Sequence, residues 1–265
     1  MKKIYVGTDM EGCAGIVSFE DQSYADGRYH DRGMRIVTAE INAAIQGMVD
    51  VGVEDFLVAD GHGPGAIWWE DLHPAAQLIH GRPNAPRGAR DPFVAEYEAC
   101  IMLGQHAMAG TPMSNQNHTQ SSRVIDYYKL NGEFIGEIAQ FALYQGSLGL
   151  PLIFLSGEEA ACREAEDLIP GIVTASVKKG LGRGSAISVS ASVAHQRIRE
   201  GIQEAIERQR KSPLPPFTIE GPYVMEKRYF HTHEADAAGD QPGAEQIDSQ
   251  TVVYRSDSIR DIIYR

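Results

Sequence analysis

Short, unbroken apolar runs alternate along the chain with longer stretches in which apolar residues recur every three or four positions. "KIYVGTD" is a run of the first kind, and "GMRIVTAEINAAIQGMVDVG" is a stretch of the second. In the latter, Val37, Ile41, Ala44 and Met48 fall on one face of a helix. "DFLVAD" follows as a buried strand closing in "GHGPG", so strand, crossover helix and strand make a βαβ unit with parallel pairing. The alternation continues through "ACIMLGQHA" and "PLIFLSG" as strands, with "FIGEIAQFALYQG" between them and "EEAACREAEDLIPG" after them as helices. "IVTASVKKG" is a further strand. The pattern predicts an α/β fold with a mostly parallel sheet flanked by helices.

The helix "SVAHQRIREGIQEAIERQRK" places Val193, Ile198, Ile202 and Ile206 on one side and ends at "SPLPP", a Pro-rich stop that reads as a linker. Beyond it, "TIEGPYVMEKRYF" and "TVVYRSD" read as strands, with "EADAAG" and "SIRDIIYR" as short helices. The expected organisation is an α/β metal-binding catalytic domain over 1–190, and a helix with a small α+β domain over 191–265. The loop "GRPNAPRGARDPF" is the clearest interruption, placed to cover an opening or meet a partner subunit.

Ligands of open α/β sheets collect beyond the carboxyl ends of the strands, so the residues that end each strand carry the functional signal. Here Asp9 and Glu11 follow the first strand, Asp60 and His62 the second, and His106 the "IMLG" strand. His118 lies in the polar loop "TPMSNQNHTQSS", and Glu137 in the first turn of the next helix. Taken singly, Asp9 and Glu11 fit a helix cap and a surface acid, Asp60 before Gly61 fits a turn, and His106 fits an interior histidine. Together, carboxylates and imidazoles at one sheet edge make a metal site, because a divalent cation offsets the repulsion between paired acids. A donor set without paired thiolates suits Zn²⁺, and Mn²⁺ or Co²⁺ as well. Asp9, Glu11, His62, His106 and Glu137 outnumber the ligands of one zinc with an open position, so two metals sharing a carboxylate is the natural arithmetic. Asp60 stays outside that set as a brace of its loop. His118 taken singly fits an exposed polar turn, and beside a metal pair its imidazole would serve as nucleophile or general base, a choice that its surroundings in the sequence leave open. "HTHEAD", with His231 and His233, imitates a second site but lies in a polar stretch past the linker, and reads as solvated surface.

The chain has 265 residues, 43% of them hydrophobic, enough for one large core or a core with a smaller companion. A net charge of −12 argues against non-specific nucleic-acid binding, which needs clustered Lys and Arg. Lys178, Lys179 and Arg183 form the one local basic group, read as a solvated loop. Cys13, Cys100 and Cys162, odd in number and without CxxC spacing, read as buried reduced thiols. No segment approaches the roughly 18–20 apolar residues of a membrane span, and the first apolar run is too short for a signal-peptide core. The expectation is a soluble cytoplasmic protein with neither a nucleic-acid nor a membrane partner.

At the same residues the chain resembles the zinc-dependent D-aminopeptidases, a family often labelled dipeptide transport protein. "TDMEGCAG" is similar to that family's D-x-E-G strand end, "VADGHG" to its second-strand metal histidine, and "LGQHAMAGTP" with "NHTQSS" to its histidine pair. "NGEFIGEIA" resembles its N-G-x-x-x-G-E segment, and further similar text runs from "LHPAAQLIHG" to "IDSQTVVYRSD", so the likeness spans nearly the whole chain. The loop "GTPMSNQNHTQSS", the aromatic "IWWED" and the Arg-rich stretch at 82–90 depart from the family's text. The resemblance implies two Zn²⁺ per subunit, with Asp9 bridging, Glu11, His62, His106 and Glu137 completing the ligands, and His118 as the catalytic residue. It also implies removal of an N-terminal D-amino acid from short peptides such as D-Ala-D-Ala, inside a ring-like homodecamer. Two readings from other classes stand beside it: a non-catalytic dipeptide-binding protein of transport, and a two-metal phosphoester hydrolase.

Overall fold

The first apolar run forms β1 (Lys3–Thr8), and the amphipathic stretch after it forms α1 (His30–Asp50), in a computed structural model that describes all residues, Met1–Arg265. β2 (Asp55–Asp60), β3 (Ala76–Ile79), α2 (Arg87–Val94) and β4 (Ala99–Gln105) follow. Next come β5 (Ile125–Leu130), β6 (Glu133–Ile135), α3 (Glu137–Ser147), β7 (Leu152–Glu158) and α4 (Glu159–Leu168). β8 (Val173–Gly182), β9 (Ser185–Ser188) and α5 (Ala191–Lys211) complete the main body. The tail holds β10 (Tyr223–Tyr229), α6 (Thr232–Gly239), β11 (Ala244–Gln246), β12 (Thr251–Ser256) and α7 (Ile259–Ile262).

A seven-stranded sheet runs in the order β3-β2-β1-β4-β7-β8-β9. Its pairs are parallel except β8 with β9, as expected for strands joined by crossover helices. A five-stranded antiparallel sheet, β11-β12-β10-β5-β6, stands beside it. The chain leaves β1 toward β2 on one side, while β4 pairs with β1 on the other. The order of strands therefore reverses between β1 and β4, where crevices form in open α/β sheets.

One face of the main sheet is covered by α1 and α5, whose Val37, Ile41, Ala44 and Met48 share a core with Ile198, Ile202 and Ile206. Each fully buried isoleucine there contributes about 1.5–3 kcal/mol. The other face carries α3 and α4 through Ile138, Phe141, Ala161 and Ala165. The far side of α3 gives Leu143 and Tyr144 to the core of the small sheet, with Tyr128, Met225 and Val252. A helix wedged between two sheets must be apolar almost all round, and Ile138 to Gly146 are all buried.

Several elements differ from the sequence expectation. The stripe of α5 runs through Ala194, Ile198, Ile202 and Ile206, and Val193 is exposed, because the five-residue step from 193 to 198 leaves the helical face. Phe134 and Ile135 belong to β6, so α3 starts at Glu137. Half of the Arg-rich interruption is helical, as α2. Sheet membership crosses the 190/191 division: α5 packs on the main sheet, and β5 and β6 pair into the small one. The reason is that β5 finds its partner β10 about a hundred positions later, a pairing that no local pattern announces. The basic group at 178–183 is not all solvated, since Lys178 is buried at 2% exposure. Cys13, Cys100 and Cys162 are free and buried, and no helix is long and apolar enough to cross a membrane.

Candidate metal centre

Asp9 follows β1 directly, His62 lies just past β2, His106 follows β4, and Glu137 opens α3. The ends of three adjacent strands and one helix thus converge on the crevice beside β1. Close approach of the β1 and β4 ends depends on glycine. Gly12 N donates to Gly104 O at 2.8 Å, and a Cβ on Gly12 would lie 1.9 Å from Gln105 O. Gly104 has φ +71°, and a Cβ there would meet Asp9 O at 2.2 Å. With side chains at either position, Asp9 could not stand beside His106.

The loop carrying Asp9 and Glu11 is tied on both flanks. Asp9 Oδ1 accepts from Met10 N at 2.8 Å, and Glu40 Oε1 accepts from Ala14 N at 2.8 Å. The buried Lys178 Nζ donates to Glu11 O, and to Ile16 O at 2.6 Å. Burial pushes this ammonium down to about 8. The His62 loop is held by Asp60, whose two oxygens each accept from Ala66 N at 3.1 Å, and by Arg82, which donates to Gly63 O at 2.7 Å and to His62 O. Asp60 is therefore the brace of its loop.

Each of the three site histidines has one ring nitrogen against a main-chain carbonyl. His62 Nε2 meets Ser23 O at 2.7 Å, His106 Nδ1 meets Ala107 O at 3.0 Å, and His118 Nδ1 meets Gln116 O at 2.9 Å. A carbonyl can only accept, so those nitrogens carry hydrogen and the opposite nitrogens face the cluster. His62 Nδ1 lies 3.1 Å from both Asp9 Oδ1 and Glu11 Oε2. His106 Nε2 lies 3.3 Å from Asp9 Oδ2 and 3.5 Å from Glu137 Oε1. Asp9 thus stands between the two histidines, one oxygen toward each. His118 Nε2 is 3.8 Å from Glu137 Oε1, whose oxygen also accepts from Gln120 N at 2.7 Å.

The charges of this cluster are mutually dependent. Burial works against the charge on Asp9, yet His106 and His62 hold its carboxyl well below the usual range. Burial likewise disfavours charge on His62 and His106, and the surrounding carboxylates outweigh it, so both ionise well above the usual imidazole range. Glu137 is held low, with burial opposing and His106 prevailing. His118 goes the other way: burial, and then the charge on His106, push it down.

Whether a metal fits is decided by what the donors lack. Glu11 Oε2 and His106 Nε2 are buried without a well-formed hydrogen bond, and meet only the opposite charges of the cluster at 3.1–3.5 Å. Both point into a carboxylate and imidazole set of the composition zinc takes. Donor atoms of Asp9, Glu11 and His106 lie within 4.8 Å of one another, and so do those of His106, His118 and Glu137. The second group puts His118 within reach of a metal as well as of a substrate. The fixed ring nitrogens supply the outer hydrogen bonds by which metal-binding histidines are oriented. The residues fit a divalent metal ion.

The five expected ligands and His118 are brought together. His231 and His233 are exposed and belong to neither donor group. What sequence reasoning missed is the support: Ser23 O, Gln116 O and Gln120 N act through the main chain and carry no side-chain signal, while Lys178 sat among residues that resemble a surface loop.

Above the cluster lies a cleft of about 710 Å³, lined by Asp9, Glu11, His62, His118 and Glu137, by Tyr24 and by arginines including Arg82, Arg90 and Arg123. The Arg-rich stretch thus forms part of its wall. A volume of this size is that of a small-ligand site.

The sequence matches the family described as Peptidase_M55, D-aminopeptidase, over residues 1–264. A D-aminopeptidase of Bacillus subtilis (strain 168) is 31% identical over 257 residues, which cover 95% of this chain and 90% of that protein. Among solved structures, the Zn-dependent D-aminopeptidase DppA from Bacillus subtilis, described as a self-compartmentalizing protease, superposes with a TM-score of 0.89 at 27% identity. That match covers 100% of this chain and 94% of the other.

Proposed function

The chain belongs to the D-aminopeptidase family and is a metallo-aminopeptidase, and from that premise we propose that it removes N-terminal D-amino acids from short peptides such as D-Ala-D-Ala. Asp9, Glu11, His62, His106 and Glu137 would hold two zinc ions. Zinc supplies Lewis acidity and positive charge where the scissile carbonyl oxygen becomes negative, the term that dominates most amide hydrolysis. The observation that carries the reading is the common arrangement of His62 and His106. Each has its far nitrogen committed to a carbonyl and its near nitrogen aimed at carboxylates.

His118 is the catalytic residue of this reading. Its Nδ1–H is committed to Gln116 O at 2.9 Å, which leaves the Nε2 lone pair toward the cleft. Burial disfavours charge on the ring and favours the neutral form, which can attack or take a proton. Glu137, 3.8 Å from that nitrogen, favours any positive charge His118 acquires as the reaction proceeds. The buried floor keeps bulk water from the Asp9 and Glu11 carboxylates, which strengthens every charge interaction there.

The same reading includes a homo-oligomer, a ring decamer by family likeness, and a cytoplasmic location. Its support is the self-compartmentalizing relative and three buried free thiols, which suit a reducing compartment. The test is one panel of D- and L-aminoacyl amides and short peptides with zinc-loaded protein, read as free amino acid released. Release from D-substrates with little from L-substrates is expected. Preference for L-substrates would refute the D-specific part and spare the hydrolase.

A further inference from the structure

We propose that the guanidinium of Arg123 receives the free C-terminal carboxylate of the peptide, so that the cleft reads both ends of a short substrate. This rests on the peptidase reading above. The chain carries a net charge of −12, and Asp9, Glu11 and Glu137 are among the acids that line the cleft. On so acidic a protein, a cation on the wall gives a substrate carboxylate a partner.

Of the arginines on the wall, most are already engaged. Arg82 spends its donors on Gly63 O at 2.7 Å, Asn84 Oδ1 at 3.0 Å and Asp60 O at 3.1 Å. Arg87 donates to Arg260 O and lies 5.2 Å over the Tyr144 ring. Arg90 has Asp91 Oδ1 at 3.7 Å. Arg123 alone has no hydrogen bond and no ion pair to the protein, and its guanidinium carbon lies 3.7 Å over the ring of Tyr24.

That stacking fixes the group on the catalytic wall. Tyr24 is tethered by a 2.9 Å hydrogen bond between its hydroxyl and Ser122 Oγ, and it stacks on Phe19 at 5.5 Å. Phe19 in turn meets the His118 ring edge-on at 5.3 Å. A row of rings therefore links the catalytic imidazole to the guanidinium. With its face covered by Tyr24, Arg123 presents its edge, whose parallel N–H groups match the two oxygens of a carboxylate. The ligand class is a peptide with a free α-carboxylate, in contrast to an aminoacyl amide or a peptide blocked at its C-terminus.

The test compares D-Ala-D-Ala with D-alaninamide, which lacks the carboxylate, in wild type, Arg123→Gln and Arg123→Lys. The ratio of kcat/KM for the dipeptide to that for the amide should fall roughly 10- to 100-fold in Arg123→Gln, through KM, with partial recovery in Arg123→Lys. An unchanged ratio, or equal losses on both substrates, would overturn the assignment. Should wild type hydrolyse neither substrate, the peptidase reading fails on its own. Calorimetric binding of D-Ala-D-Ala to the zinc-loaded protein then decides for Arg123, since equal affinity in wild type and Arg123→Gln would refute it and a comparable 10- to 100-fold weakening would support it.

Discussion

The imidazole rings of His106 and His118 lie face to face, with centroids 4.0 Å apart and planes 16° from parallel. Two positive charges at that separation oppose each other strongly, and the carboxylates around His106 favour the charge there. In the metal-free protein His118 is thus kept as the neutral partner, with its Nε2 unprotonated toward the cleft. His118→Ala should lower kcat by roughly 10²- to 10⁴-fold, the usual worth of a positioned acid–base group. Zinc content should be unchanged by elemental analysis. A variant that loses zinc would make His118 a ligand, as its place near His106 and Glu137 allows.

Metal uptake should be coupled to proton release. In the metal-free protein His62 and His106 ionise well above the usual imidazole range, so zinc must displace protons from their near nitrogens. Affinity for zinc should therefore rise with pH through neutrality. Calorimetric titration in buffers of different ionisation enthalpy checks this, and heats independent of the buffer would contradict it. The sign for the metal-free fold follows from the same shifts. Stability from the raised histidines is complete below the unfolded imidazole pKa and lost as pH rises through the folded values. Stability from Asp9, whose pKa is depressed, is present above the unfolded carboxylate pKa and lost as pH falls through the folded value.

Lys178 donates to Glu11 O and Ile16 O from 2% exposure, and so fixes the turn on which Asp9 and Glu11 sit. Lys178→Met keeps much of the volume and leaves two buried carbonyls unpaired. Zinc affinity, measured by chelator competition, should fall roughly 10- to 100-fold, as for other outer contacts of metal sites, with the circular dichroism of the fold retained. Undiminished affinity would show that the loop holds its shape without the lysine.

The strand ends were legible because a parallel sheet delivers its polar residues at one edge, and Asp9, His62 and His106 each follow an unbroken apolar run. Lys178 was not. Alternation along β8 directs Val173, Ala175 and Val177 inward, but the pairing shifts between Gly157 and Glu158 and sets Glu158 opposite Lys178. A break in register of this kind turns one residue against the expected face. The small sheet was half legible: β10 and β12 show in the tail, while β5 and β6 lie before α3 and join them only in three dimensions. The supports of the histidines are main-chain groups, so their positions follow from the fold and not from residue type.

The most direct measurement is a titration of the metal-free protein with zinc, following free D-alanine released from D-Ala-D-Ala at each step. If the site holds two ions, release increases and levels off at two equivalents per chain. Saturation at one equivalent, or no release at any loading, would contradict the account.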